Sequence, residues 1–320
     1  MKMLSFLSVL TLTLVFTICP NASIGESGKI VYTSQSLLFT NLDIYSMGPN
    51  GDDRTPLTFS FSDDYDPTWS PNGRQILFVS ERDGMPDVYI MDDDGSNEKP
   101  VRSLTRHRTS PTWAPDGQRI AYSLNFQEIF IYDLIRDLPE YVVDGANPAW
   151  SPDGKHIAFI RDGSGSNASD GASLYVIDLE TSIESKLVDA TLFSQLSDPT
   201  WGPQSNYIVF SWVDLFTDSG IYYVARWGGD AEMINYWDNH HLHHPDIAPY
   251  GGEMLVEAHP DSFVEQHIYK VTRRTNNWQQ LTSDSDSTYN YDPDWWHPIS
   301  FPVQPTESHS TTIWGELKKR

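Results

Sequence analysis

The stretch DPTWSPNGRQILFVS at residues 66–80 reads as strand, tight turn, strand, and it returns as SPTWAPDGQRIAYS at 110–123 and NPAWSPDGKHIAFI at 147–160. Copies of one phrase at a regular interval point to units that cannot bury their own apolar face and must stack on one another. The proline recurs six times, as Pro67, Pro111, Pro148, Pro199, Pro245 and Pro293, at spacings of 44, 37, 51, 46 and 48 residues. Two positions later stand Trp69, Trp113, Trp150, Trp201, Ile247 and Trp295. The first three copies continue with Asn72-Gly73, Asp116-Gly117 and Asp153-Gly154, pairs that tolerate the positive φ values of a two-residue hairpin. The fourth and fifth copies carry Gln204-Ser205 and Tyr250-Gly251-Gly252 in that place.

A β-rich run follows each turn: QILFVS, RIAYS, HIAFI, YIVF and EMLVE. A third run comes next, each with one aromatic at a matching place: Tyr89, Phe130, Tyr175, Tyr222 and Tyr269. Short runs such as VRSLT (101–105) and WQQLT (278–282) close the units. Four short strands in roughly 40–45 residues is the arithmetic of a β-propeller blade. The sixth phrase, DPDWWHP (292–298), supplies only a first strand. Before the first phrase, KIVYTS (29–34), DIYSM (43–47) and RTPLT (54–58) match second, third and fourth strands, and Tyr45 sits where Tyr89 does. The expected fold is therefore all-β. It is a six-bladed β-propeller over 29–298 in which the C-terminal strand pairs with three N-terminal strands, so that no sheet edge is left open.

The phrase with its continuation, DPTWSPNGRQILFVSERDGMPDVYIMDDDGSNEKP, resembles the WD40-like (PD40) repeat of the TolB-like six-bladed propeller family, and the resemblance covers about residues 29–298. It implies the propeller fold, a periplasmic setting and a cell-envelope partner. Two departures follow from the residues. Only a few positions separate the N-terminal apolar segment from the first strand, so the α/β domain that precedes the TolB propeller is expected to be missing. The G-x-S-x-G elbow of the peptidases that carry similar propellers is absent too, GSGSNASDG (163–171) failing the pattern.

MKMLSFLSVLTLTLVFTICPNAS has the layout of a secretory signal peptide over 1–23, and 299–320 reads as a flexible tail. A secreted or periplasmic location is expected, with no stable membrane span after cleavage. Cys19, the single cysteine, falls inside the leader. The mature chain then has no disulfide to form and depends on packing. The net charge of −23, from 21 basic and 44 acidic residues, repels phosphate backbones and argues against nucleic acid as a partner. A monomer is expected.

In a propeller the loops entering first strands share one face, around the channel mouth, with those joining second to third strands. That face carries nearly all the long insertions here, and irregular loops on a rigid frame are where binding sits. Asp64, Tyr65, His107, Tyr236, Trp237, Tyr289 and Tyr291 fall in or beside those loops, outside the repeat template, and are the candidate contacts. WDNHHLHH (237–244) holds four of the ten histidines, with His259 and His267 in the next loop. Imidazole is a common ligand of divalent ions, so His241, His243, His259 and His267 are candidate metal ligands, with Asp238, Asp246, Asp261 and Glu265 able to complete a shell. The competing reading is a polar, solvated loop with no cofactor. MDDDGSN (91–97) lacks the glutamate that would complete a calcium loop and reads as a hairpin turn. Asp66, Asn147, Asp198 and Asp292 precede the repeat proline, a recurrence that implies a turn-fixing role. No nucleophile stands beside a visible base. The reading favoured is a binding scaffold for a protein, peptide or envelope partner; the alternative is a metal-dependent lyase or lactonase acting on carbohydrate-like substrates.

Overall fold

The computed structural model describes residues 28–36, 41–101, 107–161, 171–189, 194–214, 220–235, 237, 240–249, 251–260, 265–283 and 287–297. The leader, the C-terminal tail and Tyr236 lie outside them. Among the described residues twenty-four strands, β1 to β24 in chain order, form six four-stranded antiparallel sheets. Blades 2 to 6 use four consecutive strands each. Blade 1 has the order β24-β1-β2-β3, made of β24 (Ser287–Trp296), β1 (Lys29–Ser36), β2 (Leu42–Met47) and β3 (Thr55–Pro56), so both ends of the chain meet in one sheet. Ile30 registers with Trp295 and Ser34 with Asn290 across that seam.

Alternation along each strand gives a blade two apolar faces, and each face packs on a neighbour. Six buried clusters result, one per interface. Val31, Ile44 and Leu57 of blade 1 meet Trp69, Ile76 and Phe78 of blade 2. On its other side blade 1 sets Ile30, Tyr32 and Trp295 against Leu255, Ile268 and Leu281 of blade 6. The remaining four interfaces repeat the arrangement around the ring. The repeat tryptophans are buried in these seams. The matching aromatics of second and third strands pair across the sheet, as in Phe78–Tyr89 and Phe159–Tyr175, with centroids 5.8 and 5.5 Å apart.

The turn after each tryptophan differs from the expected two-residue hairpin. Gly73 N donates to Ser70 O at 2.8 Å and Ser70 N to Gln75 O at 2.8 Å, so Pro71 leads a four-residue turn in which only Gly73 is left-handed, at φ 65°. Proline presets the first inner position of such a turn, and the left-handed position comes last. Blade 5 uses Ser205, φ 55°, in that place. The MDDDGSN segment is a hairpin turn, Asp94 accepting from Ser96 N at 2.9 Å. Among the described residues no helix is long and apolar enough to cross a membrane.

Candidate functional site

The residue before each repeat proline sits in left-handed backbone: Asp66, Ser110, Asn147, Asp198, His244 and Asp292, with φ between 44° and 58°. The pairing of first and second strands slips at this place in every blade. Such a bulge turns the extra side chain out of the strand's alternation. Here the bulged side chains turn towards one another across the channel. Asp292 accepts from the backbone N–H of Asp66, and Asp66 from that of Ser110. Ser110 Oγ lies 3.5 Å from Asn147 Oδ1, and His244 N donates to Asp198 at 3.4 Å. The recurrence thus ties blades 1 to 4 in series and blade 5 to blade 6, and the strands that carry it are the innermost of their sheets.

One residue of the next column outward, on the second strands, breaks its pattern. The position after the second-strand aromatic holds Thr33, Val79, Ser123, Ile160, Ser211 and Glu257. Thr33 accepts from Asp66 N and donates to Asp292, both at 3.1 Å, and Ser123 accepts from Asn147 N at 3.0 Å. Glu257 is 2% exposed and reaches His244 Nδ1 at 2.9 Å, while Gln266 donates to its other oxygen. His244 Nε2 lies 3.2 Å from Asp198 and 3.0 Å from Asp292.

Both ring nitrogens of His244 therefore face carboxylates. Burial works against a charged imidazole, but Asp198, Asp292 and Glu257 outweigh it and hold His244 well above the ordinary histidine range. Burial also raises Asp66, and the charge of Asp292 adds to this, so that it is pushed up to about 7. Asp292 is held below its usual range because the His244 charge outweighs its burial.

The proposed contacts separate. Tyr289 and Tyr291 stack in parallel at 6.1 Å, and the Glu257 charge, after burial, raises the Tyr291 hydroxyl. His241 registers opposite His259 with ring centroids 5.1 Å apart, and His243 stacks on His259 at 5.4 Å. These five residues share the blade 6–blade 1 side of the channel face with Glu257. His267 registers with Ala258, the residue beside His259, so it occupies the opposite face of its sheet and contacts Thr282. Trp237 stacks on His240 at 4.0 Å and packs with Tyr269 and Trp278, out towards the edge strand of blade 6. Asp64 is fully buried on Arg82, 2.9 Å away. Tyr65 donates to Glu81 at 3.4 Å, and His107 sits edge-on to Phe126 at 5.1 Å. His244 and Glu257, at the centre of the site, lie outside the candidate contacts and ligands that the sequence suggests; the broken column at Glu257 is the signal that marks them. His244, Glu257 and Asp292 each offer one ligand atom, all within 4.8 Å of one another.

The model of the TolB β-propeller domain (PD40) matches residues 25–136 and 87–298, and the chain belongs to that family. No curated protein matches the sequence. Among solved structures, TolB from Acinetobacter baumannii is similar at TM-score 0.71 and 17% identity, over 85% of this chain and 67% of that one. A protein assigned as TolB from Agrobacterium tumefaciens gives TM-score 0.64 and 16% identity, over 86% and 99%. An oligogalacturonate lyase in complex with manganese gives 0.53 and 15%, over 79% and 72%.

Proposed function

We propose that this TolB-type propeller is a secreted or periplasmic binding scaffold whose channel face receives a protein partner. The observation that carries the reading is an arc of apolar side chains standing in solvent on successive channel-face loops. Phe59 is 80% exposed and Phe61 fully so, on the loop entering blade 2. Met85 and Phe126 follow on the second-to-third-strand loops of blades 2 and 3. Backbone bonds from Glu81 to Asp63 and from Asn125 to His107 hold these loops together. Clustered exposed apolar groups mark interaction surfaces, and the acidic chain around them would draw in a partner with basic residues. A photo-crosslinker placed beside Phe61 in the native compartment should trap one specific envelope protein, and the F59S/F61S variant should lose at least about tenfold of its capture, as for hot-spot side chains. Equal capture by the variant, or none by the wild type, would reject the scaffold.

The second reading, a metal-dependent lyase, draws on the His241, His243 and His259 patch beside Tyr289 and Tyr291, together with the likeness to an oligogalacturonate lyase in complex with manganese. Incubation with oligogalacturonate and Mn2+ tests it: formation of the unsaturated product favours it, and none abandons it.

A further inference from the structure

We propose that the cleft between blades 4 and 5, on the face opposite the channel mouth, binds a neutral sugar residue. Trp227 is its stacking platform, and Arg226, Asp178 and Ser185 are its polar contacts. The cleft measures about 300 Å³, the lower end of the range for small-molecule sites. Strand pairing builds it. His156, at the start of β13 (His156–Arg161), registers with Asp178 of β14 (Ser173–Asp178), and Asp178 with Ile183 of β15 (Ile183–Val188). Val176 and Ser185 pair two residues further along, on the same side of the sheet. Val176 belongs to the apolar seam with blade 5 and closes the inner end of the cleft. At the rim blade 5 contributes Arg226 and Trp227, from the hairpin that follows β18 (Gly220–Ala225).

Three observations point to a ligand. Trp227 is 74% exposed and meets no other ring among the described residues; a Cβ on Gly228 or Gly229 would find nothing within 4 Å, so the turn carrying the indole stands clear of the fold. His156 is only 7% exposed, and its Nε2 lies 2.9 Å from Arg226 Nη1. A guanidinium can only donate, so Nε2 accepts this bond. Asp178 Oδ2, 3.4 Å from the same nitrogen, is thereby left without a donor among the described residues, while its Oδ1 accepts from the backbone and hydroxyl of Thr181. Arg226 in turn pairs with no carboxylate among the described residues, in a chain with 44 acidic side chains. Spare donors and a spare acceptor thus converge beside an apolar plane. That is the complement of a pyranose, which carries hydroxyls around its rim and C–H groups on its face. Charge selects a neutral ring. Asp153 and Asp178 flank His156 against the single Arg226, in a chain of net charge −23, so an anion is repelled, and a cation would sit against the guanidinium.

The cleft is separate from the channel face, so the inference does not depend on the scaffold reading. Labelled full chain is screened on an array of neutral and acidic glycans, and the neutral oligosaccharide retained best is titrated calorimetrically. W227A and R226A should each weaken it at least about tenfold, as for anchoring Trp and Arg side chains in other interfaces. F59S/F61S should bind it as the wild type does. Retention of no neutral glycan overturns the proposal, as does retention of acidic glycans alone, or an affinity indifferent to W227A and R226A or lost in F59S/F61S. If R226A fails to fold, W227A decides alone, because its side chain stands outside the packed seams.

Discussion

Left-handed backbone at a residue other than glycine costs on the order of 1–3 kcal/mol and persists only where its surroundings over-determine it. Asp66, Asp198 and Asp292 offset that cost because a short carboxylate there accepts an N–H from the next blade or from His244's bulge. His244 has no such short acceptor, and its conformation places an imidazole among three carboxylates instead. Asp64, two residues before the first bulge, shows the opposite response to burial. Its desolvation outweighs the nearby Arg82 and pushes it up to about 6 from 3.8. The native state thus holds a proton between those pH values that the unfolded chain has released. The stabilisation is complete below about pH 4 and is lost as pH rises through about 6, on the order of 2–3 kcal/mol. Urea unfolding of wild type and D64N across that range should show their stability difference changing by this amount, while a constant difference would refute the assignment.

Among the elements, the turns between first and second strands carry the local accuracy of the ring. Gly73 and Gly117 hold the same turn position, at φ 65° and 66°. A Cβ on Gly73 would stand 2.1 Å from the Trp296 ring, brought over from the C-terminal strand, whereas a Cβ on Gly117 meets nothing within 4 Å. G117A should therefore lose only the left-handed preference, about 1–2 kcal/mol. G73A should lose about 1–3 kcal/mol more, since the indole must shift. Denaturant midpoints of the two variants measure the difference; equal losses would mean that Trp296 does not cover the turn. The tryptophan–proline phrase, the spacing and the aromatic columns made these elements legible in the sequence. The inward turn of the residue before the proline was not, because simple alternation sends His243 and His244 to opposite sides and the bulge cancels that rule. Asp64 looked like a loop acid for a related reason: nothing in its neighbours announces Arg82 beneath it.

For the whole molecule, the candidate site stands where blade 6 meets blade 1, so it exists only if the two chain ends share a sheet. His244 and Glu257 come from blade 6 and Asp292 from β24, with Thr33 of β1 holding Asp292 in place. Sequence alone placed β24 opposite β1 by counting strands, yet it could not supply the side-chain contacts that make this seam polar at the mouth and apolar below it, at Ile30, Tyr32 and Trp295. Removing that strand should expose both flanking faces and the edge of β1 at once. The direct test is thermal unfolding of a chain ending at residue 286, with and without a separate peptide spanning 287–298. The account predicts loss of the single cooperative transition on truncation and its recovery when the peptide is added. An unchanged, cooperative transition in the truncated chain would contradict it.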